Sequence, residues 1–322
     1  MITEVISPEV KQCRVVCADG VELLGLVSPP NGHSQDVPIL LYLHGQFDNA
    51  YQQRVNHVLL EATVDRGWGA VLANTRGQDY YAYQRKFSND SDPESYTWTL
   101  FGSSFEKVTE APLDIEAWTQ FAGEGLGQRR NVILIGHSHG AVKVANYLSD
   151  NSANSTTVQI VAAALLSPSD DIGGQRSKLG TRYGEALDIA KGLVESGRGQ
   201  SYMPEWAYSS PMSAATYLEA FDKQSPLRAF ALHEPDSSPL TAMKEPWALP
   251  TLVTFGEHDG ATAGMPSEQA IAIIEARILQ GVPSLSGSVI ESADHHYRSK
   301  ERDLVATILN WAQEISPGIA PS

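Results

Sequence analysis

The chain has 322 residues, of which 42% are hydrophobic and 19% are charged, a composition typical of a folded globular protein rather than a disordered or fibrous one. Its 38 acidic and 23 basic residues give a formal net charge of -15, which disfavours phosphate backbones and anionic membrane surfaces as partners. We therefore expect no nucleic acid and no membrane as a partner. Because the first eight residues lack a basic and an apolar segment, we also expect a cytoplasmic protein.

The first predicted elements are two antiparallel strands at residues 12–18 and 21–27, which turn at Asp19-Gly20. The apolar run at residues 38–43 is typical of a strand that is buried on both faces of a parallel sheet. From there helix-like and strand-like segments alternate: helix 50–66, strand 69–74, helix 111–122, strand 131–135, helix 141–149 and strand 159–166. This alternation predicts an α/β fold with a doubly wound, mostly parallel sheet.

The alternation stops after residue 166, and helical patterns with aromatic residues follow at residues 183–196 and 211–221. The stretch is too long for a loop in a compact domain, so we predict an inserted helical cap at residues 167–246. The α/β core then comprises residues 1–166 and 247–322. Its last elements are predicted as strand 251–255, helix 267–279, strand 286–291 and helix 300–315.

The strongest motif is Gly136-His137-Ser138-His139-Gly140, which follows a buried strand and precedes a helix. In a Gly-x-Ser-x-Gly turn the glycines permit a sharp bend that lifts the serine hydroxyl above the sheet edge. Ser138 is therefore predicted to be a nucleophile. The alternative is a glycine-rich turn with an inert serine.

A serine hydroxyl reacts only when a base removes its proton, and the base needs an acid that fixes its tautomer. In a strand–turn–helix site of this type the chain order is serine, acid, histidine. Asp259 follows the next-to-last core strand and His295 follows the last one, so they are the predicted acid and base. His296 and Asp294 are the rival base and acid.

Three turns together resemble the α/β-hydrolase superfamily of esterases and lipases: residues 136–140, Gly-Glu-His-Asp at 256–259 and Ala-Asp-His at 293–295. The resemblance covers nearly the whole chain apart from the cap. Within the superfamily, residues 136–144, 166–170 and 74–77 resemble a group that includes fungal siderophore esterases. His139 departs from the apolar residue that is often found at its position. The resemblance implies the α/β-hydrolase fold and a reaction without a cofactor.

Acyl transfer also needs two hydrogen-bond donors for the developing oxyanion. One predicted donor is the backbone N–H of His139, which directly follows the nucleophile. The other lies in the loop at residues 44–49, where the resemblance implies Gln46 first and Phe47 second. His44 is predicted to hold that loop in shape.

Aromatic residues of the predicted cap could line an apolar pocket, and we single out Tyr202, Trp206 and Tyr217 for substrate binding. Aromatic residues at helical spacing are usually packing residues, so both roles stay open. Arg76, at the end of a core strand, is predicted to pair with a carboxylate rather than to hold an anionic substrate.

The predicted function is a serine hydrolase that cleaves a carboxylic ester, or a related acyl bond of a small molecule, through an acyl-enzyme on Ser138. A thioesterase, a serine peptidase and a biosynthetic acyl cyclase would use the same three residues. His137 and His139 form His-x-His, which raises a metal-dependent hydrolase as an alternative, but the following helix offers no further ligand and no metal is expected. A non-catalytic ligand-binding module is the remaining alternative.

Overall fold

A computed structural model of the protein describes residues 10–30, 37–88, 94–126, 131–149, 158–234, 247–277 and 284–316. The strands in these ranges are β1 (Lys11–Val16), β2 (Glu22–Ser28), β3 (Ile39–Leu43), β4 (Gly69–Ala73), β5 (Ala82–Phe87), β6 (Tyr96–Phe101), β7 (Val132–His137), β8 (Ile160–Leu166), β9 (Thr251–His258) and β10 (Leu285–Asp294). The helices are α1 (Arg54–Asp65), α2 (Ala111–Gln120), α3 (His139–Ser149), α4 (Asp171–Leu179), α5 (Tyr183–Glu195), α6 (Ala214–Phe221), α7 (Ser267–Arg277) and α8 (Glu301–Ile315).

Eight strands form the central sheet in the order β1-β2-β4-β3-β7-β8-β9-β10. β1 pairs with β2, and β2 with β4, in the antiparallel direction, whereas all neighbours from β4 to β10 are parallel. The chain moves in one direction from β3 to β4 and in the other from β7 to β10. The predicted doubly wound, mostly parallel sheet is therefore confirmed.

Strand β3 shows why the sheet is buried on both faces. Its five residues are all apolar or aromatic and fully or almost fully buried. Because side chains alternate along a strand, Leu41 packs in the cluster that contains α2, α3 and α7 residues, whereas Leu40 and Tyr42 pack in the cluster of α1 and α8. The helices thus cover both faces and leave the carboxyl edge of the strands for the connecting loops.

A hairpin between β4 and α2 was not predicted. Its strands β5 and β6 form a separate antiparallel pair, from Ala82 opposite Phe101 to Phe87 opposite Tyr96. One face of this pair is exposed, with Tyr83 at 66% and Trp98 at 61% of their full accessibility. Neither strand is a buried apolar run, but the aromatic and Thr residues of β6 favour a strand and were the available signal for this hairpin.

The described part of the predicted cap range contains α4, α5 and α6. The last two match the helical patterns predicted at residues 183–196 and 211–221, and they pack against each other. Gln175 of α4 donates to the Ala207 carbonyl at 2.5 Å and to the Tyr217 hydroxyl at 3.0 Å. Residues 235–246 of the predicted cap and residues 278–279 of the predicted helix 267–279 lie outside the described residues. Among the helices described, none has the length and apolar character needed to cross a membrane.

We expect Trp118→Ala to reduce the free energy of unfolding by about 3–5 kcal/mol, because the substitution leaves a large cavity in a packed core. The Trp118 side chain is fully buried, and its indole N–H donates to the Asn74 carbonyl at 2.8 Å. The measurement is urea unfolding followed by circular dichroism. Trp98→Ala, at an exposed position, is the matched control and should change stability by less than about 0.5 kcal/mol. Equal effects of the two substitutions would contradict the described core.

Candidate active site

Ser138 lies in a strained turn between β7 and α3. Its backbone φ is 54°, in the left-handed region that residues with a side chain rarely adopt. Neither flanking glycine position has room for a side chain. A Cβ on Gly136 would lie 2.3 Å from the Gly140 carbonyl oxygen, and a Cβ on Gly140 would lie 2.6 Å from the His44 carbonyl oxygen. The turn therefore holds the serine in one conformation at the carboxyl edge of the sheet.

Ser138, His295 and Asp259 lie in one hydrogen-bonded chain. Nε2 of His295 is 3.0 Å from Oγ of Ser138, and Nδ1 of His295 is 2.8 Å from Oδ1 of Asp259. Because an ionised carboxylate can only accept, Nδ1 carries the ring proton and Nε2 is free to accept the serine proton. The three residues come from the ends of β7, β9 and β10, as the chain order predicted.

Asp259 is held in its ionised form. Burial acts to raise the pKa of its carboxyl group, but the hydrogen bond and the charge of His295 and the Ala261 N–H at 2.9 Å outweigh burial. The pKa of Asp259 is therefore lowered from its ordinary value. An ionised Asp259 can both orient the His295 ring and stabilise its protonated form.

The two rival residues have other contacts. Oδ1 of Asp294 accepts the backbone N–H groups of His296 and Arg298, each at 3.0 Å, which stabilises the turn after β10. The centre of the His296 ring lies 5.1 Å from that of His295, and within the described residues the hydrogen bond of Ser138 Oγ goes to His295, not to His296. The geometry thus favours His295 over His296 as the base.

The loop after β3 lies directly against the nucleophile. A Cβ on Gly45 would be 3.1 Å from Cβ of Ser138, so the backbone approaches closely because glycine has no side chain. Among the described hydrogen bonds, the N–H groups of Gln46 and His139 have no acceptor. The Phe47 N–H donates to Oγ of Ser103 at 2.8 Å. The N–H groups of Gln46 and His139 could therefore donate to a bound molecule, whereas that of Phe47 is occupied by Ser103.

Three buried histidines surround this centre. Burial, followed by the charges of neighbouring groups, lowers the pKa of His44 and His137 to about 3 and that of His139 to about 4. His137 Nε2 donates to the His295 carbonyl at 2.8 Å, which fixes the backbone of the base. All three rings are neutral at pH 7.

The aromatic residues predicted to bind substrate have different positions. Tyr217 is fully buried beside Tyr208 and Phe221 and has a packing role. Trp206 lies under the Arg182 guanidinium at 3.6 Å, and Tyr202 is half-exposed beside Phe105. Within the part of the chain that the structure describes, the Ser138 hydroxyl is hydrogen-bonded to His295 and to none of these three side chains.

Two tyrosines outside the predicted site lie next to the loop at residues 44–49, which carries the predicted donor Gln46 and is called the oxyanion loop below. The Tyr208 hydroxyl donates to Oε1 of Gln46 at 3.1 Å, and the Tyr80 ring stacks on Phe47 at 4.5 Å between centroids. Tyr208 was visible as one of many cap aromatic residues. Tyr80 precedes the hairpin that was not predicted, so no pattern identified it.

Arg76 is buried and pairs with Asp114 at 2.8 Å and with Asp19 at 3.2 Å, which confirms the predicted structural role. Within the described ranges, no three His, Cys, Asp or Glu side chains are grouped so that they could hold a metal ion. The metal-dependent alternative therefore has no described ligand set.

We expect the free energy of unfolding to fall as pH decreases from 6.5 towards 4. An unfolded histidine binds its proton near pH 6.5, whereas His44, His137 and His139 resist protonation in the folded state, so acid favours unfolding. At pH 5 each contributes a loss of up to about 2 kcal/mol. His296, whose pKa burial also lowers, adds to this loss, whereas Asp48, Asp114 and Glu219 act in the opposite sense because burial raises the pKa of each carboxyl group, that of Asp48 to about 6.

Urea unfolding at pH 7.5, 6 and 5 measures this effect. His139→Leu removes one buried titrating group and should reduce the loss between pH 7.5 and 5 by up to about 2 kcal/mol. His258→Gln, at an exposed position, is the control and should keep the wild-type profile. A His139→Leu variant that loses as much stability as the wild type between pH 7.5 and 5 would contradict a buried neutral His139.

Comparisons with known proteins agree with this architecture. At 15% identity the fold is similar to that of the esterase Pf2001 from Pyrococcus furiosus, with a TM-score of 0.60 over 98% of this chain and 96% of that chain. It is also similar to Est1E from Butyrivibrio proteoclasticus, with a TM-score of 0.56 and 13% identity over 94% of this chain and 98% of that chain. For alpha/beta hydrolase domain-containing protein 10 from mouse the TM-score is 0.58, with 12% identity over 95% of this chain and 99% of that chain.

No curated protein matches the sequence. The narrower resemblance to siderophore esterases stays a prediction. The model of one family, described as the alpha/beta hydrolase family, matches residues 40–307, which is well over half of the chain. The α/β fold, the turn at Ser138 and this match lead to one conclusion: the chain belongs to the alpha/beta hydrolase family.

Proposed function

We propose that the protein is a serine hydrolase that cleaves a carboxylic ester bond of a small molecule. One observation carries the proposal: the hydrogen-bonded chain from Ser138 through His295 to the buried carboxylate of Asp259. The strained backbone of Ser138 supports it, because strain of this kind concentrates at functional sites.

In the proposed reaction, His295 Nε2 removes the Ser138 proton as Oγ attacks the substrate carbonyl carbon. Asp259 keeps the ring in the required tautomer and stabilises the imidazolium that forms. The N–H groups of Gln46 and His139 donate to the oxyanion of the tetrahedral intermediate. His295 then protonates the leaving alcohol, and a water molecule activated by the same histidine releases the acid from Ser138. These steps use only side chains and backbone groups of this chain.

Membership of the alpha/beta hydrolase family supports a hydrolytic reaction. Ester hydrolysis is our first choice because Pf2001, which has a similar fold, is an esterase. Est1E binds ferulic acid, an aromatic acid, and the Phe47–Tyr80 stack beside the oxyanion loop offers aromatic surface to such an acyl group here. Thioesters, amides and acyl cyclisation use the same intermediate and are the alternatives that the substrate test must separate.

We also propose that residues 167–246 act as a cap over the site. The support is the hydrogen bond from the Tyr208 hydroxyl to the Gln46 side chain, which joins this segment to the oxyanion loop. The Lys178 ammonium of α4 lies 6.0 Å from the centre of the Tyr208 ring, so a second residue of the same segment helps to hold Tyr208 in place.

We expect Ser138→Ala and His295→Ala each to lower kcat by at least about a thousandfold, because both remove a group that reacts. His296→Ala is the matched control, since His296 neighbours the base without a described contact to Ser138, and it should retain most of the wild-type kcat. The assay is p-nitrophenyl acetate hydrolysis, with circular dichroism as the test of folding. Near-normal turnover of the folded Ser138 variant would refute the nucleophile.

A fluorophosphonate probe should add one covalent group to the wild type, and mass spectrometry of peptides should locate it at Ser138. Asp259→Asn should react much more slowly, because the amide cannot stabilise the protonated His295 ring. EDTA should not change the labelling. Labelling at another residue, or loss of activity in EDTA without labelling, would favour the competing mechanisms.

The substrate class is tested with p-nitrophenyl esters of increasing acyl length, methyl ferulate, acyl thioesters and aminoacyl anilides. We expect kcat/KM to be highest for an ester. A thioester or an anilide with a higher kcat/KM would replace ester hydrolysis by thioester or peptide hydrolysis on the same three residues.

A further inference from the structure

An ion pair lies completely inside the protein behind the candidate active site. Lys143 of α3, five residues after Ser138, places Nζ 2.6 Å from Oε1 of Glu106, and the two side chains are 0% and 3% exposed. Taking two charges out of water is costly and is not by itself a route to stability. The reaction proposed above does not use either charge, so the pair has no assigned role.

Lys143 also contacts the loop system of the oxyanion site. Its ammonium group donates to Oγ1 of Thr75 at 3.0 Å, and the Thr75 backbone N–H donates to Nε2 of His44 at 3.1 Å. Because a backbone N–H can only donate, Nε2 of His44 is unprotonated and the ring proton is on Nδ1. Nδ1 therefore donates to the Gly45 carbonyl, at 2.7 Å.

The neutral state of His44 is part of this arrangement. Burial, followed by the positive charge of Lys143, lowers the pKa of His44 to about 3. A protonated ring would carry a second N–H towards the Thr75 N–H, and two donors cannot form a hydrogen bond. The chain of contacts thus exists in one protonation state throughout the neutral pH range.

The Gly45 carbonyl and the Gln46 N–H belong to the same peptide group. This group is planar, and in a trans peptide its C=O and N–H point in opposite directions. When His44 fixes the direction of the Gly45 carbonyl, it also fixes the direction of the Gln46 N–H. On the other side of the loop, the Phe47 N–H is held by Oγ of Ser103.

Glu106 is the rigid end of the chain of contacts. A Cβ on Gly77 would lie 2.0 Å from Oε2 of Glu106, so the carboxylate occupies the space that the glycine leaves free. Gly77 lies two residues after Thr75, in the loop that follows β4. Glu106 therefore packs against the same loop that carries the Thr75 hydroxyl, and Thr75 in turn contacts His44 of the oxyanion loop.

We propose that the Lys143–Glu106 pair positions the oxyanion site: acting through Thr75 and His44, it sets the direction in which the Gln46 N–H points at the substrate. Lys143 and Glu106 are positioning residues that touch no reacting atom. The inference rests on the proposed function, because it assigns the pair a role in stabilising the oxyanion.

The first test replaces both charges at once with Lys143→Met/Glu106→Leu. Removing both members of a buried pair avoids leaving one charge without its partner, so the double variant is expected to fold. Because a small misplacement of a catalytic group is costly, kcat should fall by about tenfold to a hundredfold. KM should stay nearly constant, and the Ki of a trifluoromethyl ketone, which forms a tetrahedral adduct on the serine, should rise by the same factor as kcat falls.

The matched control is Arg85→Met/Glu22→Gln, which removes an ion pair of 2.5 Å at the junction of β2 and β5. It should leave kcat and the Ki of the ketone unchanged.

A second pair of variants tests the hydrogen bond from Lys143 to the Thr75 hydroxyl. Thr75→Val keeps the shape but loses the hydroxyl and should reduce kcat, whereas Thr75→Ser keeps the hydroxyl and should restore most of it.

A folded double variant with wild-type kcat and Ki would overturn the inference, as would equal rates for the Val and Ser variants of Thr75. If the double variant does not fold, the Thr75 variants alone test whether the ion pair acts through Thr75. Failure of the proposed function gives a different result: wild-type protein that a fluorophosphonate does not label at Ser138. Labelled wild-type protein with unaffected variants would refute the positioning role alone.

Discussion

Close backbone packing around Ser138 is the constraint on which the rest of the site depends. β3 and β7 are neighbours in the sheet, with Leu43 opposite Gly136, and the chain leaves them in opposite directions. Ligands of open α/β sheets bind at such a point, beyond the carboxyl ends of the strands. The loop after β3 can reach the serine only because Gly45 and Gly140 have no Cβ. The close packing of these two loops therefore places a partly buried Ser138 hydroxyl beside the backbone N–H groups of Gln46 and His139.

The charge states of the polar groups around Ser138 have two different causes, burial for the histidines and contacts with His295 for Asp259. The buried histidines stay neutral, Asp259 stays ionised through its contacts with His295, and Lys143 and Glu106 neutralise each other. In a medium of low dielectric constant each of these contacts is stronger than in water, and each unpaired group is more costly. The geometry around Ser138 thus includes polar contacts that extend well beyond the side chains of Ser138, His295 and Asp259.

The sheet and the predicted reacting residues could be read from the sequence because each has a local signal. β3 and β7 are continuous apolar runs, and Ser138, Asp259 and His295 directly follow strands in the order that the fold requires. The β5–β6 hairpin lacks such a run. Contacts such as that of Lys143 with Glu106 join residues that no local pattern connects, so they become visible only when the chain is folded.

The hydrogen bond between Tyr208 and Gln46 joins the segment proposed as a cap to the loop that carries a proposed oxyanion donor. Tyr208 lies between α5 and α6, in the segment that is proposed to act as a cap. Gln46 carries an N–H beside the nucleophile. A substitution at Tyr208 that admits a larger molecule would also change the surroundings of that N–H. If the proposed function holds, the cap and the oxyanion loop therefore cannot be altered separately at this position.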